Sequence, residues 1–150
     1  MSAFPPVEEL VPHAGGMLLI DRIIAQEGET VRGEVEISPQ SLFFEAGRGV
    51  PGYVGFELMA QTISAYDGLK RRRNGKPPKI GFLVGCRSYR CVKPFFAAGE
   101  KLVIEVTSLL GEEGMASFDC KISSPDGAEM AKAVINVYRP PDDEAFVSGA

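Results

Sequence analysis

The sequence predicts an α+β fold in which one long helix lies inside a strongly bent antiparallel sheet. Three observations predict it. Residues Tyr53 to Tyr66 form one long apolar stretch, and apolar positions surround nearly the whole circumference from Val54 to Leu69. A helix of that kind is a buried one. The segments on either side of it are rich in β-branched residues or alternate apolar with polar, the period of strands with one covered face. The order is two strands, the helix, then four strands, so the sheet must curl to cover the helix. Sheet edges left open on such a unit favour edge-to-edge dimerisation.

Taken in order, Met17–Ile24 reads as the first strand, preceded by Gly15-Gly16, and Thr30–Ile37 as its antiparallel neighbour after a bend at Gly28-Glu29. Pro51-Gly52 is a helix-start signal, because proline in the first turn lacks only an amide that would be orphaned there. Lys70-Arg71-Arg72-Arg73 suits the negative end of the helix dipole, and Asn74-Gly75 with Pro77-Pro78 stops the helix. Ile80–Val92 reads as a long strand in which Gly81 and Gly85 mark a bend or a close approach. Lys101–Leu109 follows a Gly99-Glu100 turn. Ala116, Phe118, Cys120 and Ile122 alternate with polar residues in the next strand. Pro125-Asp126-Gly127 turns the chain into a last strand from Ala131 to Tyr138.

The 150 residues suit a single domain over 1–150, with a core at about 10–139 and a solvated tail at 140–150. Sixteen basic and twenty acidic residues give a net charge of −4, which argues against nucleic acid as the main partner. No stretch is long and apolar enough to span a bilayer, and the N-terminus lacks the basic start and apolar run of a signal peptide. A cytoplasmic protein is therefore expected. Cys86, Cys91 and Cys120 fit no zinc spacing, and reduced, packed thiols are expected of them. No cofactor or metal motif is visible.

Within the apolar stretch stands one acid, Glu57. A carboxylate taken out of water must be paired, neutralised or used, and burial raises its pKa, which suits a proton donor. The competing reading is a structural carboxylate bonded to backbone or to Gln61. Gln61 and Ser64 follow Glu57 at i+4 and i+7, a polar stripe that could line a site or meet backbone groups of a partner subunit. The chain has one histidine, His13, whose side chain has an unperturbed pKa near neutrality. His13 is a candidate base, with a structural role between strand and loop as the alternative.

Four segments carry a resemblance. Leu10-Val11-Pro12-His13-Ala14-Gly15-Gly16-Met17-Leu18-Leu19-Ile20-Asp21-Arg22 opens the chain. Phe43-Phe44-Glu45 precedes Val50-Pro51-Gly52-Tyr53-Val54-Gly55-Phe56-Glu57-Leu58-Met59-Ala60-Gln61. Phe82-Leu83-Val84-Gly85 follows the helix, and Lys93-Pro94 precedes Gly99-Glu100-Lys101-Leu102-Val103-Ile104-Glu105-Val106. In this order they resemble the 3-hydroxyacyl-[acyl-carrier-protein] dehydratases of the FabZ/FabA type, which have the hot-dog fold. The chain is most similar to a divergent branch, the dehydratase-like proteins of aryl-polyene-type pathways. The family's catalytic histidine lies in a G-H-F-P stretch upstream of the helix. Here that stretch is Glu45-Ala46-Gly47-Arg48-Gly49-Val50-Pro51, without histidine. Glu57 matches the family's catalytic acid, and His13 matches its other histidine.

The resemblance implies loss of water from 3-hydroxyacyl thioesters on an acyl carrier protein, giving trans-2-enoyl thioesters in fatty-acid or polyene biosynthesis. It implies no cofactor, and a homodimer or a heterodimer with a related hot-dog protein. The chemistry requires removal of the C2 proton, polarisation of the thioester carbonyl and protonation of the departing hydroxyl. Glu57 and His13 are the candidate acid and base. Amides of the first helical turn, at Gly52, Tyr53 and Val54, could meet the carbonyl oxygen. Gly52 and Gly55 would let substrate approach the backbone, and Gln61 completes the expected substrate contacts. Lys70, Arg71, Arg72 and Arg73 either form a solvated helix end or dock the acidic face of the carrier protein. Two other readings stay open: a thioesterase, and a catalytically degenerate subunit that lends Glu57 or a substrate tunnel to an active relative.

Overall fold

The computed structural model describes residues 4–11, 18–76, 83–109 and 114–138. A one-turn helix, α1 (Val7–Leu10), opens it, then the hairpin of β1 (Arg22–Glu27) and β2 (Thr30–Glu36). After a loop come the two-residue strand β3 (Val50–Pro51), a 3-10 turn at Gly52–Val54 and the long helix α2 (Gly55–Arg73). The remainder is β4 (Leu83–Cys91), the short β5 (Phe95–Phe96), β6 (Lys101–Ser108), β7 (Met115–Ser123) and β8 (Glu129–Tyr138). One six-stranded sheet runs β1-β2-β6-β7-β8-β4, antiparallel throughout, and β3 pairs with β5 beside it. Among the described residues no helix is long and apolar enough to cross a membrane.

Alternation along the strands sets the register. Val31 and Val35 on β2, Leu102, Ile104 and Val106 on β6, Phe118, Cys120 and Ile122 on β7, and Ala133, Ile135 and Val137 on β8 are all buried against α2. The opposite face is polar. Arg32, Glu105 and Lys121 stand in register across three strands. Arg32 Nε donates to Glu105 Oε1 at 2.7 Å, and Lys121 Nζ lies 3.5 Å from Glu105 Oε2. Such exposed pairs contribute about 0.2–1 kcal/mol each, so the ladder pins the register more than it stabilises the sheet.

The 19 residues of α2 give a rod of about 28 Å. Every residue from Gln61 to Leu69 is buried, with Tyr66 edge-on to Phe118 at 5.2 Å between ring centroids. Its end follows the expected Asn-Gly signal. Gly75 has φ 71°, its amide donates to Arg72 O at 3.1 Å, and the Lys76 amide reaches back to Arg71 O at 2.8 Å. This pair of bonds is a Schellman motif. The two prolines expected to reinforce the stop, the segment 77–82 and the tail at 140–150 lie outside the described residues.

Three local features revise or add to the expectations. The first strand begins at Arg22, not Met17: the Leu19 amide donates to the Gln61 side chain on α2 at 2.8 Å, which takes that stretch out of the sheet ladder. Pairing starts with the Asp21 amide donating to Glu34 O. The bend in β4 takes the form of a bulge between Cys86 and Ser88. The helix α1, which no periodicity announced, packs on α2 by burying Val7 and Leu10. Cys91 is half-buried and Cys120 buried.

Candidate active site

The candidate residues gather at the N-terminal third of α2, and the local packing explains their positions. Glu57 is exposed, which corrects the expectation of a sequestered acid. The sheet and α1 enclose α2 on all sides only from about Gln61 onward, leaving Phe56 and Ala60 half-buried on the same side as Glu57, while Leu58 and Met59 face the core. Glu57 is nonetheless held. Gln61 Nε2 donates to Glu57 Oε1 at 3.3 Å while Gln61 Oε1 accepts from the Leu19 amide. Gln61, expected to touch substrate or a partner, is thus a buried bridge between Glu57 and the chain's own backbone. Tyr53 is 73% exposed at the mouth of this region. His13 lies outside the described residues.

The first turn of the helix is clamped by the segment after β4. The Gly52 amide donates to Pro94 O at 2.8 Å, so it is not free for a substrate carbonyl, contrary to expectation. Gly52 O accepts from the Gly55 amide and from the Tyr89 hydroxyl, the latter at 2.6 Å. A Cβ on Gly52 would stand 2.2 Å from Lys93 O, and one on Gly55 would stand 2.1 Å from the Tyr89 hydroxyl oxygen. The two glycines therefore make room for the protein's own β4–β5 segment rather than for substrate. The 3-10 turn at Gly52–Val54 takes up the Val54 amide in its opening i→i+3 bond onto the N-cap, contrary to expectation, and the Tyr53 amide, one residue earlier, is the first-turn donor with no intrahelical acceptor. It points partial positive charge out of the helix end near Glu57.

The clamp has its own brace. Lys93 Nζ lies 2.8 Å from both carboxylate oxygens of Glu100, and the Ala97 amide donates to Glu100 Oε1 at 2.7 Å. Burial pushes the Glu100 carboxyl up, but these hydrogen bonds and the Lys93 charge outweigh it and hold it below the usual carboxylate value. Tyr89, Pro94 and this pair were not legible as site residues. Gly52 and Gly55, three apart, signal that something bulky packs there without saying what.

Beside the same turn lies a cleft of about 340 Å³. Val54 and Leu58 of the helix side, Val35 and Ile37 of the β2 end, and Leu18 and Leu19 supply its apolar walls, and Ser38, Gln40 and Ser41 lie on its polar side. Its volume falls at the lower end of the range for small-molecule sites. The loop that forms one wall carries Phe43 at φ 68°, an unfavourable conformation for a bulky residue that the surrounding turn must enforce.

The basic run lies at the other end of the helix, about 20–24 Å from Glu57 along the axis. Its four members do not form one free patch. Arg72 is 3.0 Å from Glu9 of α1, and Arg71 is half-buried. Lys70 stands 6.0 Å from the Tyr66 ring centroid. Lys70 and Arg73, with Tyr66, Glu29 and Asn74, line a shallow pocket of about 180 Å³.

A long helix wrapped in an antiparallel sheet is the architecture of the hot-dog class. The dehydratase heterocomplex ApeI:P from Xenorhabdus doucetiae shares it with a TM-score of 0.83 at 28% identity, covering 97% of each chain. The PaaI protein of E. coli, at 14% identity and a TM-score of 0.60 over 79% of this chain and 82% of that one, shares the fold alone. Residues 5–148 match the ApeP-like family, described as ApeP dehydratase. The 3-hydroxyacyl-[acyl-carrier-protein] dehydratase FabZ of Oceanobacillus iheyensis is 33% identical over 137 residues, 86% of this chain and 92% of that protein. FabZ of Caldicellulosiruptor bescii is 34% identical over 115 residues, 72% and 79% respectively. The chain belongs to the ApeP-like dehydratase family and is a divergent, FabZ-like hot-dog dehydratase.

Proposed function

We propose that this dehydratase removes water from 3-hydroxyacyl thioesters carried on an acyl carrier protein, with Glu57 as the acid that protonates the leaving hydroxyl. The observation that carries the reading is the place of Glu57. It is tethered through Gln61 and exposed near the start of α2, close to the helix-end amides and to the turn that borders an apolar cleft. The thioester carbonyl meets the Tyr53 amide, where charge builds on its oxygen as the C2 proton leaves. The acyl chain lies along the cleft walls of Val54 and Leu58. A second hot-dog subunit covers the open face of α2, excludes water and completes the site. The Xenorhabdus heterocomplex supports a related protein in that role rather than a second copy. On this reading the protein lies in the cytoplasm, where its three cysteines would stay reduced.

The base in this scheme is His13, the only imidazole of the chain. A second reading is favoured by the absence of histidine from residues 45–51: the base comes from the second subunit, and this chain lends it Glu57. His13→Ala separates them. Measured in the assembled complex on a carrier-bound 3-hydroxyacyl substrate, a fall of about 10²-fold or more in kcat assigns the base to His13. Near-normal turnover assigns it to the partner. Release of free acid and thiol in place of an enoyl thioester would identify a thioesterase and remove the dehydratase reading.

The carrier docks, in this proposal, on the basic end of α2. Because Arg72 is already paired with Glu9, the test falls on Lys70 and Arg73. The double charge reversal Lys70→Glu with Arg73→Glu is expected to raise KM several-fold for the carrier-bound substrate, the more so at low salt, and to leave KM for a short thioester mimic unchanged. Equal effects on both substrates would reject docking there.

A further inference from the structure

The residue with the most unexplained placement is Tyr89. It projects from β4 onto the start of α2, beside the candidate site but not lining the cleft. Its ring meets Phe56 edge-on, with centroids 6.4 Å apart at 83°, and its hydroxyl occupies the space that a side chain at Gly55 would fill. That hydroxyl donates to Gly52 O at 2.6 Å. The same carbonyl accepts from the Gly55 amide, so it has two donors for its two lone pairs. On the other side of Gly52, its amide is held by Pro94 O. Both peptide units that meet at Gly52 are therefore fixed by groups outside the helix.

We infer that Tyr89 is a positioning residue for the thioester carbonyl, acting through the Gly52–Tyr53 peptide. This rests on the dehydratase reading above. A peptide unit is planar, so Gly52 C=O and Tyr53 N–H point in opposite directions within one rigid group. Fixing the oxygen aims the amide. A hydrogen bond on the oxygen also polarises the unit and makes its N–H a stronger donor. Tyr53 N–H is one of the first-turn amides with no intrahelical acceptor. Its aim matters because a donor to a developing oxyanion acts only at hydrogen-bond distance from where that oxygen will sit. The glycine at 55 follows from the same arrangement: any Cβ there would drive the Tyr89 hydroxyl off Gly52 O.

Tyr89→Phe tests this with little change of shape, since the ring over Gly55 and against Phe56 is kept. The assembled enzyme is compared with wild type in the same assay of enoyl-thioester formation. The expected result is a fall in kcat on the order of 10-fold with KM within twofold, a melting temperature within a few degrees of wild type, and a higher carbonyl stretching frequency for a bound, unreactive thioester analogue. A Tyr89→Phe enzyme with wild-type kcat and an unshifted carbonyl band overturns the inference and leaves the dehydratase reading standing. So does a loss confined to a raised KM or a lowered melting temperature. A wild-type complex that forms no enoyl thioester overturns both.

Discussion

Glu57→Gln is expected to reduce kcat for enoyl-thioester formation by about 10²–10⁴-fold, the usual weight of a general acid or base. The amide is nearly isosteric with the carboxylate and its oxygen can still accept from Gln61 Nε2, so the tether to Leu19 survives. Because Glu57 is exposed, nothing in the core depends on its charge, and the melting temperature should stay within about 2 °C of wild type. The pairing of those two readouts gives the test its force. A large loss of kcat at unchanged stability and KM marks a group used in the transition state. Near-normal turnover would remove Glu57 from the chemistry and return it to the status of a surface carboxylate.

Gly49→Ala is expected to be the most destabilising small substitution at the entrance to the helix. Gly49 has φ 116°, a backbone conformation open to glycine and strained for alanine. A Cβ there would also lie 2.1 Å from Phe96 O and 2.9 Å from Phe96 C, main-chain atoms that cannot rotate away. Phe96 is fully buried and pairs with Val50 across β3 and β5. Strain of about 1–3 kcal/mol and overpacking of about 1–3 kcal/mol combine to lower the melting temperature by roughly 10 °C in a chain of this size. Thermal unfolding of the variant decides it. A melting temperature within about 2 °C of wild type would mean that β3 and β5 can part at little cost. It would then be doubtful that this pair holds the first turn of α2 in place.

The architecture was legible because its signals are long and repetitive. The apolar stretch of α2 and the alternating strands β2, β6, β7 and β8 each carry many residues voting for one period. The start of β1 was misjudged because Leu18–Ile20 looks apolar and β-prone in isolation, whereas the Gln61 side chain, 42 positions away, takes the Leu19 amide. Burial of Glu57 was misjudged for a related reason. An apolar neighbourhood in sequence says that a helix is covered, not how far along its length the cover extends. Gln61 shows the opposite case: a polar residue on a buried helix does find backbone, but the backbone of its own chain. The clamp of Tyr89, Pro94 and Lys93 on Gly52 joins residues from two distant segments, and no spacing in the chain encodes that meeting.

The uneven cover of α2 divides the helix into two parts with different tolerances. From residue 61 to 69 the rod is surrounded, so its amides can open to solvent only when the sheet itself comes apart. The turn bearing Phe56, Glu57 and Ala60 borders solvent on one side and can exchange, reshape or be redesigned at small cost to the rest. A new substrate preference could therefore be selected there, in a handful of positions, while the remainder of the same helix stays fixed as the mechanical support for the sheet.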